Sequence, residues 1–130
     1  CHSGDHTIYP DCRPEFYKKL IESLRIGNWG GKAIKDYMPY MNYSKSDIIK
    51  EAIPMIQNLG LNFNEIYRNT ITSYSPDSNG LSAGNTGSDI ERILAFNESG
   101  LKDPLEYQSS WEEVLKNAIK VEEDYQKSSK

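Results

Sequence analysis

The sequence predicts an α/β chain that is mostly helical. Four stretches place apolar residues at helical spacing, stop and start residues bound those stretches, and one Tyr- and Met-rich stretch reads as a strand. Apolar residues make up 37% of the 130 positions. A chain of that length buries roughly two thirds of its unfolded surface, so global disorder is not expected.

The first helix opens at Pro14, whose missing N–H costs nothing in a first turn. Phe16, Leu20, Ile21 and Leu24 follow on one face, with Lys18, Lys19 and Glu22 opposite. Gly27 and the pair Gly30-Gly31 end it. Residues 33–43, interrupted by Pro39, read as a strand leading into an irregular segment. Ser44 is placed to cap the next helix, its hydroxyl accepting from the N–H of Asp47, and Ile48, Ile49, Ala52 and Ile53 give that helix an apolar face. Pro54 predicts a break and a second short helix from Pro54 to Leu59, capped by Gly60. Residues 73–87 are a polar loop by composition. Thr86 and Asp89, three apart before Ile90, Ile93 and Leu94, predict a capped helix start. Asp103-Pro104 predicts a turn. From Ser110 the residues Trp111, Val114, Leu115, Ala118 and Ile119 form an amphipathic helix expected to fray over 126–130. There is no internal repeat.

The formal net charge is -4, which excludes a binder that works by general neutralisation of nucleic-acid phosphates but leaves room for a small anionic ligand held by a local cluster. No apolar run approaches the roughly 18 residues of a membrane span. Cys1 and Cys12 are too few for a disulfide framework, so a reducing cytoplasm is the expected setting. Asn42-Tyr43-Ser44 and Asn97-Glu98-Ser99 match the glycosylation tripeptide, and without a secretion signal both read as chance. The chain opens at Cys1, inside a motif and with no initiator Met, so a piece of a longer protein is expected.

Chemically capable side chains are densest over residues 1–13: His2, Asp5, His6, Tyr9, Asp11, Cys12 and Arg13. Arg13 could grip a phosphate or carboxylate through two parallel bonds, with Tyr9, Asp11 and Cys12 lining a pocket. The plainer alternative makes Cys12 a small buried residue and Arg13 a salt-bridge former. Cys12 as a nucleophile would need a depressed pKa. His2, Asp5 and His6 have ligand chemistry, yet such groups near a chain end more often make loop contacts, and no metal is expected there. Lys45, in a first helical turn, either meets a phosphate or is solvated. The Trp111 stripe is most simply a packing face, with a partner helix as the alternative. Gly30-Gly31-Lys32-Ala33 ends like a phosphate loop but lacks its leading glycine and final Ser or Thr, which favours a turn.

The run from His2 to Phe16, which contains Gly4-Asp5-His6 and then Tyr9-Pro10-Asp11-Cys12-Arg13-Pro14-Glu15-Phe16, resembles the signature of 7-cyano-7-deazaguanine synthases. Further blocks are similar to that family in order: Ser44 to Ile49, then Thr70 to Tyr74, Glu91 to Phe96 and Asp103 to Tyr107. The resemblance covers residues 1–107 and leaves 108–130 as a helical tail. It implies the C-terminal part of a Rossmann-like ATP-pyrophosphatase fold, and a ligase that uses ATP, Mg²⁺ and ammonia to turn 7-carboxy-7-deazaguanine into the nitrile. Asp11 and Arg13 are then expected to be catalytic, and Asp5, Tyr9, Cys12 and Lys45 to bind substrate. No direct nucleic-acid or membrane partner is implied, and a homodimer is compatible with it.

Two departures qualify this. The family's N-terminal Gly- and Ser-rich phosphate loop has no counterpart in these residues. Its four zinc cysteines fall at Ser73, Ala83, Thr86 and Asp89, which lack the thiolates a tetrahedral structural zinc takes. Such a site contributes roughly 10–16 kcal/mol of apparent binding energy, against about 1 kcal/mol for a helix cap at Thr86, and zinc is not expected. A non-catalytic paralogue that binds a nucleotide or a protein is therefore the competing reading. A third, a related enzyme acting on tRNA, is weakened by the acidic charge.

Overall fold

The computed structural model describes residues 1–128, which form six α-helices and two short 3-10 turns. The chain divides into two compact units, residues 1–45 and 46–130.

In the first unit, helix α1 (Asp5–Ile8) and a 3-10 turn (Pro10–Cys12) lead into α2 (Pro14–Gly27). Pro14 stands at the start of α2 and Arg25 in its last turn, where a cation complements the exposed carbonyls. The segment after α2 folds back onto its end. Arg25 donates through Nε to the Ile34 carbonyl at 2.9 Å and through Nη2 to Asp36 at 3.0 Å, and Asn28 Nδ2 donates to the Leu24 carbonyl at 2.9 Å. Gly31 is required by this return, since a Cβ there would fall on the Arg25 carbonyl.

The expected strand over 33–43 does not form. Residues 31–33 make a 3-10 turn, and no strand occurs among the described residues. The reason is backbone accounting. The Ile34 carbonyl is spent on Arg25, Met41 and Tyr43 donate locally to Met38 and Tyr40, and Pro39 has no N–H, which leaves too short a run for a ladder. The mostly helical expectation holds; the sheet that an α/β class needs is not among the described residues. Helix α2 buries none of its residues, and Phe16, Leu20 and Leu24 remain about two-fifths exposed.

The second unit has a core. Helix α3 (Lys45–Asn58) begins directly after Ser44. It does not break at Pro54 as the sequence predicts, but runs through it. Pro54 and Lys50 both lie on the exposed side, so the carbonyl that loses its donor meets water, while Ile49 anchors the other face. Gly60, at φ 68°, ends the helix, with Leu61 donating back to Ile56. Helix α4 (Phe63–Arg68), too short to show a period in sequence, is capped by Asn62 accepting from the Glu65 N–H. It sets Phe63 and Tyr67 against Phe96, with ring centroids 6.4 and 5.4 Å away.

Helix α5 (Gly87–Glu98) carries the center of the core: Ile93, Ala95 and Phe96 are buried. Its N-terminus bears the predicted capping box between Thr86 and Asp89. Helix α6 (Trp111–Ser128) packs on α5 through Val114 and Ala118 around Ile93. Trp111 touches both apolar clusters, which is the packing role expected of its stripe. Fraying from residue 126 is not seen, because the helix continues to Ser128; the remainder of that expectation, residues 129–130, lies outside the described residues. The polar loop between α4 and α5 is internally bonded. Asp77 Oδ1 accepts from the N–H groups of Asn79 and Leu81 at 2.9 and 2.8 Å, and Ser82 makes one parallel bridge to Tyr107.

Candidate functional site

The candidate cluster lies in the first unit. Gly4 donates to His2 Nδ1 at 3.1 Å and the His2 N–H donates to Asp5 Oδ2 at 3.0 Å. These bonds fold the first residues into the turn from which α1 starts, and the Ser3 N–H and hydroxyl both reach the Tyr43 carbonyl at 2.9 and 2.8 Å. Asp5 is thus committed to the turn and half-buried. His2 Nε2 stands 3.5 Å from Asp5 Oδ1, whereas His6 Nε2 meets the Met41 sulfur at 3.2 Å. His6 therefore does not join His2 and Asp5 as a ligand, and its ring makes the kind of loop contact that is the plainer expectation for it.

Past α1 the chain presents Tyr9, Asp11 and Arg13 on the surface, with Cys12 half-buried between them. Arg13 is held by one bond, Nε to the His6 carbonyl at 3.1 Å. Its two terminal nitrogens make no hydrogen bond among the described residues. Among the described residues the salt bridge of the plainer reading is not formed, and neither Asp11 nor Glu15 pairs with that guanidinium. The Cys12 thiol is pushed above its ordinary pKa, first by partial burial and then by the negative charges of Asp5 and Asp11. That keeps it protonated at neutral pH, contrary to what a nucleophilic thiol requires. Lys45 is the first residue of α3 and half-buried.

The cavities do not coincide with this cluster. A cleft of about 520 Å³ in the second unit is lined by Arg68, Lys102, Pro104, Glu106, Tyr107 and Trp111, among others. A second, of about 400 Å³, lies along α2 at Lys19, Glu22, Ser23, Ile26 and Gly27. Neither includes any residue from Asp5 to Arg13. Gly30-Gly31-Lys32 is a turn and not an anion cradle, since the N–H groups of Gly31, Ala33 and Ile34 are spent on Asn28, Gly30 and Gly31. The chain therefore offers no phosphate loop within its described residues.

The four positions that stand where zinc cysteines are implied do not fit the metal. Ala83 has no ligating atom. The Thr86 hydroxyl is engaged with Asp89, donating to Oδ2 at 2.6 Å, and Ser73 Oγ accepts from the Ser75 N–H at 3.4 Å. Asp89 alone offers an anion, where a structural zinc takes four ligands.

Sequence reasoning missed the most highly organised polar group of the chain. Arg92 lies buried in α5 and uses all five of its N–H groups: on Asp103 through Nε and Nη2 at 2.6 and 2.9 Å, on the Thr70 carbonyl and hydroxyl at 3.1 and 2.8 Å, and on the Tyr67 carbonyl at 3.0 Å. Asp103 also accepts from the Leu105 N–H and the Tyr107 hydroxyl at 2.9 and 2.8 Å. Burial works against the Arg92 charge, but the hydrogen bonds and charge of Asp103 outweigh it and raise its pKa. Every donor being spent, this group locks structure and offers nothing to a ligand. The signal available in sequence was an arginine set between Ile90 and Ile93 on the apolar face.

Comparison with known proteins agrees with the motif. The family model described as queuosine biosynthesis protein QueC matches residues 1–100. Proteins named 7-cyano-7-deazaguanine synthase are similar to this chain: that of Pseudoalteromonas translucida is 41% identical, over 82% of this chain and 44% of its own length. That of Psychromonas ingrahamii is 38% identical over 84% and 44%, and that of a Marinomonas species 40% over 83% and 44%. The chain thus spans under half the length of these relatives. No solved structure gives a significant match. No helix among the described residues is long and apolar enough to cross a membrane.

Proposed function

The chain belongs to the QueC family of queuosine biosynthesis proteins, and on that footing we propose that it is the C-terminal portion of an ATP-dependent 7-cyano-7-deazaguanine synthase. The protein of which it forms part joins 7-carboxy-7-deazaguanine and ammonia. A carboxylate is a poor acceptor, because its carbon is electron-rich and oxide is a poor leaving group. ATP, with Mg²⁺, supplies a leaving group on the carboxyl oxygen; ammonia then gives the amide, and dehydration gives the nitrile. The phosphate loop is not among these residues, so ATP binding falls to other residues of the whole protein.

What supports a role for this chain is the open guanidinium of Arg13, fixed through Nε and free at both terminal nitrogens. That fork matches two oxygens of a carboxylate or phosphoryl group, the shape of the acid substrate and of its activated form. In this reading Asp11, exposed two residues before it, orients the attacking amine, and Tyr9, Asp5, Cys12 and Lys45 frame the ring. The fragment alone is inactive in this reading, the working protein is cytoplasmic, and a homodimer is compatible with it. The replaced zinc positions favour a second reading, a non-catalytic paralogue that binds a nucleotide or a protein.

The two readings part in one assay. The complete protein, given ATP, ammonia and 7-carboxy-7-deazaguanine, is expected to form the nitrile with matching consumption of ATP. Neither nitrile nor ATP turnover, from a folded protein, would leave the paralogue reading standing alone.

A further inference from the structure

We propose that residues 72–89 form a metal-free knuckle, in which a hydroxyl–carboxylate cluster holds the two arms of the loop that a structural zinc would otherwise hold. The inference rests on side chains of the second unit and not on the catalytic reading. One arm ends at Thr72 and Ser73, and the other is the run from Ala83 to Asp89 at the start of α5. The arms are joined by a reciprocal exchange: the Ser88 hydroxyl donates to the Thr72 carbonyl at 2.9 Å, and the Thr72 hydroxyl donates to the Ser88 carbonyl at 3.4 Å.

Ser88 in turn meets the Thr86 hydroxyl at 3.1 Å. Thr86 and Asp89 close a ring of three bonds: Thr86 N–H and hydroxyl to Asp89 Oδ2 at 3.2 and 2.6 Å, and Asp89 N–H to the Thr86 hydroxyl at 3.3 Å. A further clamp sits just ahead of the second arm. Ser82, fully buried, accepts from the Gly84 N–H at 3.0 Å, and its carbonyl accepts from the Gln108 N–H at 2.9 Å.

The donor set itself does not suit the metal. The Asp89 carboxylate is fully buried, with Oδ2 committed to the Thr86 hydroxyl. A single oxygen ligand beside an alanine and two engaged hydroxyls does not make a tetrahedral site. Gly84 is also packed so closely against α6 that a Cβ would lie 2.8 Å from Val114 Cγ1. The loop is thus fixed against the core by packing.

The test uses the full chain purified without added metal. Zinc content is measured by elemental analysis, and thermal melting is followed with and without excess chelator and with added Zn²⁺. Sub-stoichiometric zinc and a melting temperature unmoved by chelator or Zn²⁺ are expected. Thr86→Ala is expected to lower melting by about 4–8 °C, Ser88→Ala to lower it too, and Thr86→Ser, which keeps the hydroxyl, to melt as the unmodified chain does. One zinc per chain with collapse on chelation would overturn the proposal. So would unchanged melting in both alanine variants. If Thr86→Ala does not fold, the Ser88→Ala and Thr86→Ser melts decide on the same terms.

Discussion

Each unit of the molecule contains an Arg–Asp pair, and the two pairs do different things. Arg25–Asp36, at 3.0 Å, has both side chains more than two-fifths exposed; Arg92–Asp103, at 2.6 Å, has its partners 5% and 0% exposed. The first pair staples a returning segment onto the end of a helix whose own apolar face is uncovered. The second is the polar center of a unit that already has an apolar core of Ile93, Phe96, Val114 and Ala118. The same chemistry is thus a surface tether in one unit and a structural keystone in the other. What decides is whether surrounding side chains keep water out.

The largest effect is therefore expected from Arg92→Ala. It leaves Asp103 buried without its cation and takes an arginine donor from the Thr70 carbonyl, and should cost about 3–5 kcal/mol. Arg25→Ala should cost at most about 1 kcal/mol. Denaturant titrations of the two variants measure the contrast directly, and equal losses would mean that the exposed pair does more than its setting allows.

Glycines give a second pairing. Gly84 and Gly30 both have positive φ, 70° and 76°, but only Gly84 is hemmed in, with a Cβ there lying 2.8 Å from Val114 and 3.3 Å from Tyr107. Gly30→Ala should cost about 1–2 kcal/mol, the penalty of the left-handed backbone alone. Gly84→Ala adds overpacking against α6 and should cost roughly 2–4 kcal/mol. Thermal melts would rank the two, and the reverse ranking would contradict the packing of α6 on the loop.

The Tyr107 hydroxyl adds a dependence on pH to the second unit. Burial, followed by the charge and hydrogen bond of Asp103, pushes its pKa well above the ordinary 10.0. A group whose pKa is raised on folding holds its proton in the native state after the unfolded chain has released it. Its contribution is thus fully present below about pH 10 and is lost as pH rises beyond that. Urea titrations between pH 8 and 11 should show this alkaline fall, and Tyr107→Phe should flatten it while costing about 1.5–3 kcal/mol near neutrality. An unchanged alkaline limb in Tyr107→Phe would remove Tyr107 as its source.

Local signals carried the sequence reading furthest. Pro14, Thr86–Asp89 and the apolar spacing of α6 act within one or two turns, and each appears where the sequence places it. What failed depended on the rest of the chain. Residues 33–43 have strand composition, but a strand exists only with a partner, and Arg25 claims the Ile34 carbonyl first. Pro54 reads as a break because propensity does not know which side faces water. Helix α4 was invisible at six residues. The site divides the same way: the motif from Tyr9 to Arg13 is legible as a string, while the bond that leaves the Arg13 fork open needs the fold of α1. Arg92 hid among apolar neighbours because its partners lie 11 to 25 positions away.

Arg13 is where the smallest change in stability is expected to accompany a large change in function. Its side chain is exposed and contributes one hydrogen bond to a carbonyl, so Arg13→Ala should alter unfolding free energy by no more than about 1 kcal/mol. In the complete protein, losing a two-point grip on an oxyanion should lower kcat/KM by about a hundredfold or more, since each 1.36 kcal/mol is a factor of ten. Arg13→Lys keeps the charge but not the planar fork, and should recover little of that loss. Unfolding and turnover measured on the same three proteins separate the roles. If stability fell in Arg13→Ala as far as in Arg92→Ala, Arg13 would be a structural ion like its buried counterpart. Full activity in Arg13→Lys would show that the site needs a positive charge there and not a bidentate donor.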